Sequence, residues 1–139
     1  MNTQKRILVT GAAGSVGTTL HRAWEKRKDY ELTCCDIRDS QNDNSSFKIA
    51  DVRDYNQMKE LCTEQDVLVH LAYVPQNHLG KQKDEISDIN ANILLFEAAR
   101  EAGIQRIVFA STNHVTGMNE REMPARLSTG DQFRPDSWY

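Results

Sequence analysis

The segment Gly11-Ala12-Ala13-Gly14-Ser15-Val16-Gly17 constrains this chain more than any other. It follows the apolar run Arg6-Ile7-Leu8-Val9-Thr10 without a spacer and opens a helical pattern from Ser15 to about Arg27. A strand that turns on glycine straight into a helix is the opening half of a βαβ unit. In that setting Gly11 turns the chain sharply, Gly14 omits a Cβ that would block a diphosphate, and Gly17 lets helix and strand pack closely. The N–H groups at the helix start, reinforced by the helix dipole, then face an anion. A plain structural turn can also carry three glycines, and the Gly-x-x-Gly-x-x-Gly spacing is wider than the compact Gly-x-Gly-x-x-Gly form.

Beyond this turn, short apolar runs alternate with amphipathic helical stretches, the pattern of successive βαβ units around a parallel sheet. The helix from Ser15 is expected to turn Val16, Leu20, Ala23 and Trp24 toward that sheet. Glu31 to Asp36 reads as the second strand, Ser40 to Ser46 as a loop, and Phe47 to Asp51 as a short third strand. A helix from about Tyr55 to Thr63 buries Met58, Leu61 and Cys62. Asp66 to Ala72 is the fourth strand, and its near-continuous apolar character suits a strand covered on both faces. A long helix from about Asp84 to Ala102 carries Ile86, Ile89, Ile93 and Phe96 along one side and stops at Gly103. Arg106 to Ser111 is the fifth strand, and Met118 to Trp138 reads as loop. The expected fold class is α/β, a Rossmann-type doubly wound parallel sheet of about five strands in the order 3-2-1-4-5. In this reading residues 1–117 form the nucleotide-binding domain and 118–139 a loop that follows it.

Asp36 adds a chemical meaning to the turn. It ends the second strand nineteen residues after Gly17, where a carboxylate accepts hydrogen bonds from the hydroxyls of an adenosine ribose. The same charge repels a 2′-phosphate, so the expected cofactor is NAD rather than NADP. Arg38, two residues on, is a side chain that could instead accommodate that phosphate. Asp51, with Val52 beside it, is placed to meet the adenine edge, although a solvated turn carboxylate reads the same way.

Other classes of function find little support. Cys34, Cys35 and Cys62 are odd in number and form no Cys-x-x-Cys pair, so they read as buried reduced thiols. His21, His70, His78 and His114 lack metal-ligand spacing. A net charge of −3 without a basic stripe argues against nucleic acid as partner. The longest apolar run, Val67 to Val74, is far too short to span a bilayer, and the N-terminal residues carry no secretory apolar segment. The simplest expectation is a cytoplasmic protein with a small-molecule ligand.

Several segments taken in order carry a family likeness. They are Val9 to Gly17, Asp51-Val52-Arg53-Asp54, Val69-His70-Leu71-Ala72, Glu97-Ala98-Ala99-Arg100 and Arg106 to Thr112. With them the chain resembles the extended short-chain dehydrogenase/reductase family, the NAD-dependent epimerase/dehydratase group. Ser111-Thr112-Asn113-His114 and the closing Arg134-Pro135-Asp136-Ser137-Trp138-Tyr139 are most similar to uronate dehydrogenases and their sugar-dehydrogenase relatives. The resemblance implies an oxidoreductase that oxidises a sugar or uronic acid at its anomeric carbon by hydride transfer to NAD. It implies cofactor contacts from Gly11, Ala13, Gly14, Ser15, Val16, Gly17, Asp36, Ile37, Asp51, Val52, Leu71, Ala72 and Tyr73. Ser111, Thr112, Asn113 and His114 are the implied substrate contacts. Thr112 would hydrogen-bond the reacting hydroxyl, and Tyr139 would be the general base.

In the family a lysine four residues after that tyrosine lowers its pKa. The chain ends at Tyr139, so it is expected to be an N-terminal portion, inactive alone, of a parent able to form a homo-oligomer. Asp88 stands where the family usually has asparagine, and the neighbouring Asn90 and Asn92 are expected to point elsewhere on the helix. In Tyr73-Val74-Pro75-Gln76-Asn77-His78 a proline occupies about the place of a small polar substrate contact. The alternatives are a nucleotide-sugar epimerase or dehydratase of the same family, and a non-catalytic NAD-binding module.

Overall fold

A computed structural model describes residues 4–39, 46–73, 83–122 and 127–136, with 83–87 through their backbone alone. The chain divides into two compact units, Met1–Phe109 and Ala110–Tyr139. The first holds strands β1 (Lys5–Thr10), β2 (Tyr30–Asp36), β3 (Phe47–Ile49), β4 (Val67–His70) and β5 (Arg106–Phe109). Its helices are α1 (Ser15–Trp24), α2 (Tyr55–Cys62) and α3 (Lys83–Glu101). The strands pair parallel in the order β3-β2-β1-β4-β5, as the sequence pattern led us to expect.

The two-residue period of the strands divides the core into two layers. Leu8, Cys35 and Leu68 point to the face covered by α2 and α3, where they meet Met58, Cys62, Ala91, Leu95, Ala98 and Ala99. Ile7, Val9, Cys34 and Val69 point to the other face and pack with Leu20 and Trp24 of α1. Leu8, Leu68, Leu95 and Met58 are fully buried, and each such side chain contributes about 1.5–3 kcal/mol through removal from water. β1 and β4 are each paired on both sides within the sheet.

Helix ends follow their local chemistry. Asp54 caps α2 by accepting from the N–H groups of Asn56 and Gln57 at 3.0 and 3.1 Å. After α3, Gly103 takes φ +76°, the left-handed conformation that stops a helix.

Four expectations need correction. On α1, Val16 is 64% exposed and Ala23 is exposed too, so the sheet-facing residues are Gly17, Leu20 and Trp24. On α3, Phe96 packs against the core as expected, but Ile89 and Ile93 are exposed, and the fully buried side is Ala91, Leu95, Ala98 and Ala99. The small alanines let α3 sit close over the sheet, whereas isoleucine at those positions would hold it away. Third, β3, β4 and β5 are shorter than their apolar runs, because residues 50–52, 71–73 and 110–112 leave the ladder. Fourth, the expected loop after Met118 begins inside a helix, α4 (Gly117–Glu122), in the second unit. Asn119, a poor helix former, is held there because its side chain is buried and donates to the carbonyl of Gln132 at 2.8 Å. The expected loop residues 40–45, the side chain of Ile86, the segment Val74 to His78 and Tyr139 lie outside the described residues.

No helix among the described residues is long and apolar enough to cross a membrane, and those residues include no cluster of three or more His, Cys, Asp or Glu side chains placed to hold a metal ion. The three cysteines are free and buried. Cys34 and Cys35 face opposite core layers, so adjacency in sequence does not bring their sulfurs together. Burial pushes the thiol of Cys34 up to about 11, that of Cys35 to about 12 and that of Cys62 to about 11, which removes the reactive thiolate.

The folded protein should therefore react with a disulfide reagent at pH 8 only as fast as it opens, and all three thiols should react at once in denaturant. Rapid labelling of any of them in native buffer would contradict this packing. Replacing the α2 cap, Asp54→Ala, should lower unfolding free energy in urea by about 1 kcal/mol; an unchanged midpoint would show that the cap contributes nothing.

Candidate functional site

The turn after β1 is built by backbone approaches that leave no room for side chains. Gly11 has φ +72°, and a Cβ placed on it would lie 2.5 Å from the Ala72 nitrogen and 2.6 Å from the Leu71 carbonyl carbon. A Cβ on Gly17 would lie 2.5 Å from the Gly11 oxygen and 2.6 Å from the Ala12 Cα. Both positions therefore require glycine, one for conformation and contact, the other for contact alone. Gly14 is the N-cap residue of α1 and has no side chain to spend on the N–H groups of Ser15, Val16 and Gly17. The first turn of α1 also carries no acidic residue. An unfilled helix N-terminus of this kind attracts an anion.

Asp36 closes the other side of the turn. Its carboxylate is buried and accepts from the N–H of Ala13 at 3.0 Å and from the N–H of Arg38 at 3.1 Å. The ends of β1 and β2 are thus tied through a charged group, which also leaves acceptor capacity on both oxygens. The Arg38 side chain is exposed and its Nε stands 3.6 Å from Asp36 Oδ1. Ile37, next to Asp36, is an exposed apolar side chain.

After β3 the chain presents Asp51 and Val52. The guanidinium of Arg53 grips Asp51 at 2.9 and 3.0 Å and holds its carboxyl below the usual carboxylate range. Val52 is buried in the α2–α3 layer. After β4, Leu71 and Ala72 are half-buried and Tyr73 is exposed. All these residues follow the C-terminal ends of parallel strands, where open α/β sheets place their ligand crevice.

Beneath the turn lies a polar cluster that sequence reasoning missed. Thr10 and His70 are cross-strand partners, and Thr10 Oγ1 lies 2.6 Å from His70 Nδ1. His70 Nε2 lies 2.7 Å from Asn92 Oδ1, so Asn92 faces the sheet rather than pointing elsewhere on α3. The pattern is that of a neutral ring, with Nε2–H donating to Asn92 and Nδ1 accepting from the Thr10 hydroxyl. The ring stacks on Phe109 at 5.4 Å and meets the edge of Phe96 at 5.9 Å. A histidine within an otherwise apolar strand run was the available signal.

In the second unit the candidate substrate residues are ordered by contacts among themselves. Ser111 and Asn113 are exposed, and Thr112 caps a short 3-10 helix, Asn113–Thr116, by accepting from the N–H of His114 at 3.3 Å. His114 Nδ1 lies 2.8 Å from Asp136 Oδ1, while Arg121 reaches Asp136 Oδ2 at 3.2 Å. The imidazole of His114 beside it, aided by Arg121, holds the Asp136 carboxyl below its usual range. Sequence reasoning did not anticipate this pairing across 22 residues. Tyr139 is outside the described residues, so its place relative to Thr112 is not part of this geometry.

Comparison with known proteins agrees with this arrangement. Residues 7–139 match the NAD dependent epimerase/dehydratase family. The chain is 35% identical to an L-arabinose 1-dehydrogenase (NAD(P)(+)) of Haloferax volcanii, over 96% of this chain and 55% of that one. It is 30% identical to a uronate dehydrogenase of Pseudomonas syringae pv. tomato, over 96% of this chain and 48% of the relative. Its structure superposes on a glucuronic acid dehydrogenase of Chromohalobacter salexigens with TM-score 0.80 and 35% identity, covering 97% of this chain and 50% of that one. The chain thus spans about half the length of the relatives it matches. With its turn, its β2 carboxylate and its strand order in place, the chain belongs to the NAD dependent epimerase/dehydratase family.

Proposed function

We propose that the protein carrying this chain is an NAD-dependent sugar dehydrogenase that oxidises a sugar or sugar acid at the anomeric carbon. The observation that carries the reading is Asp36, a buried carboxylate locked to the glycine turn with acceptor capacity left over. A ribose diol satisfies such a group, whereas a 2′-phosphate would stand against its charge. The N–H groups of the first α1 turn hold the pyrophosphate, with Gly11, Ala13, Gly14, Ser15, Val16 and Gly17 forming the cradle. Ile37, Asp51 and Val52 serve the adenine side, and Leu71, Ala72 and Tyr73 the remainder of the dinucleotide. Bound NAD⁺ supplies the hydride acceptor.

Thr112 donates to or accepts from the reacting hydroxyl, and Asn113 and His114 contact substrate oxygens. Tyr139 takes the hydroxyl proton as the hydride leaves the anomeric carbon, which yields a lactone. The arabinose, uronate and glucuronic acid dehydrogenases among the similar proteins support simple oxidation over epimerisation or dehydration. The three reduced buried thiols suit an intracellular compartment.

The test is production of reduced nicotinamide, followed by absorbance, when the protein expressed from its natural gene is given NAD⁺ with glucuronate or with L-arabinose. Absence of reduction with a panel of aldoses and uronic acids would refute the reading. Asp36→Ala should weaken NAD⁺ binding by about tenfold to a hundredfold, the cost of one or two charge-assisted hydrogen bonds. It should also narrow the preference over NADP⁺. Equal affinities of wild type and variant would remove Asp36 from the site.

A further inference from the structure

We propose that His70 is a positioning residue of the dinucleotide site: through Thr10 on one ring nitrogen and Asn92 on the other, it holds the ends of β1 and β4 in the register that seats Gly11. The proposal rests on the reading of the glycine turn as the NAD⁺ cradle.

The covalent geometry makes the link direct. Thr10 immediately precedes Gly11, and His70 immediately precedes Leu71 and Ala72. The two residues are paired across the sheet, and the N–H of Leu71 donates to the carbonyl of Thr10 at 3.1 Å. One residue further on, Gly11 approaches the Leu71–Ala72 backbone so closely that a Cβ has no place. A shift of a few tenths of an ångström between the strand ends therefore moves the cradle itself.

The chemistry of the cluster suits this task better than it suits simple stability. Thr10 and His70 are buried on the face of the sheet whose core is otherwise apolar, built of leucine, alanine, valine, methionine and cysteine with Phe96 packed against it. An apolar pair would fill that space without desolvating polar groups. A hydroxyl, an imidazole and a carboxamide instead have preferred directions, and they meet at one geometry. Phe109 of β5 and Phe96 of α3 fix the plane of the ring, so β1, β4, β5 and α3 all converge on one side chain.

Hydrogen-bond roles in the cluster change with the charge of the ring. Protonation would turn Nδ1 into a donor and force the Thr10 hydroxyl to reverse. Burial lowers the His70 pKa from its ordinary value, while the Asn92 bond and the charge of Asp88 on α3 oppose that effect. The groups presented by β1 and β5, Thr10 and Phe109, carry no charge. Protons therefore favour the loosened site, in which the ring regains its ordinary pKa of about 6.5. NAD⁺ affinity should be complete above that value and fall as pH drops below it toward the lowered pKa.

Calorimetric titration of NAD⁺ into the protein expressed from its natural gene tests this without using turnover. His70→Phe keeps an aromatic ring but removes both hydrogen bonds, and should raise Kd about tenfold with the far-ultraviolet circular dichroism unchanged. If that variant does not fold, Thr10→Val, which removes one hydroxyl at constant shape, carries the same expectation. Asn92→Asp places a carboxylate against Nε2–H and lets the folded site accept the proton. Its affinity should then lose less than wild type between pH 7 and pH 5. A folded His70→Phe or Thr10→Val variant with wild-type Kd, or parallel pH curves for wild type and Asn92→Asp, would overturn the proposal alone. Failure of the wild-type protein to bind NAD⁺ would overturn the cradle reading and this proposal with it.

Discussion

The molecule depends on one close passage of backbone over backbone at the end of β1. Gly11 lies against the peptide between Leu71 and Ala72, and Gly17 lies against Gly11 and Ala12. These contacts fix where β1 stops, how α1 leaves the sheet and how far β4 extends beside it. They are possible only without a Cβ, which is why two of the three glycines in the turn are irreplaceable on steric grounds. Around that passage lie the open N-terminus of α1, the Asp36 carboxylate bonded to Ala13, and the exposed Tyr73 beyond β4.

Polar groups are used sparingly and at the joints. Asp36 ties β1 to β2, Asp66 accepts from the Arg6 N–H at the opposite end of β1, and the Thr10–His70–Asn92 cluster ties β1 to β4 and α3. Between the joints the layers are apolar and lightly built, with alanine facing the sheet from α3. The second unit works differently. Its short helices are held by side-chain contacts that return from residues 128–136, among them His114 with Asp136 and Arg134 with Asn119 and Glu122. Among the candidate substrate residues, Thr112 is held by its own cap to the N–H of His114, and His114 by Asp136, 22 residues away in sequence.

Much of the first unit was legible because its determinants are local. Glycine after an apolar strand, a carboxylate at the end of the next strand and alternating strand and helix periods each act over a few residues, and they led to the observed sheet order and to the Asp36 position. The face of α3 was misjudged for a physical reason. Apolar residues line two sides of that helix, and counting bulk favoured Ile89 and Ile93 over Ala91, Leu95 and Ala98. The buried side combines small alanines with Leu95 and Phe96, and it is set by what the sheet and α2 present to the helix. Asn92 was misplaced with it, and so the partner of His70 went unseen.

The sequence by itself determined the turn that opens α1 and the chemical character of the β2 end, because backbone sterics and charge at those points admit few alternatives; the strand order was expected by analogy with doubly wound sheets and is fixed by the pairing of distant strands. The sequence also carried the family, through motifs spread along most of the chain. The tertiary structure decided which sides of α1 and α3 are buried, that β4 ends in a buried histidine bonded from two directions, and that His114 is paired with Asp136. Those are meetings of side chains from different elements. No residue's own propensity specifies such a meeting; it exists only once the backbone has brought the elements together.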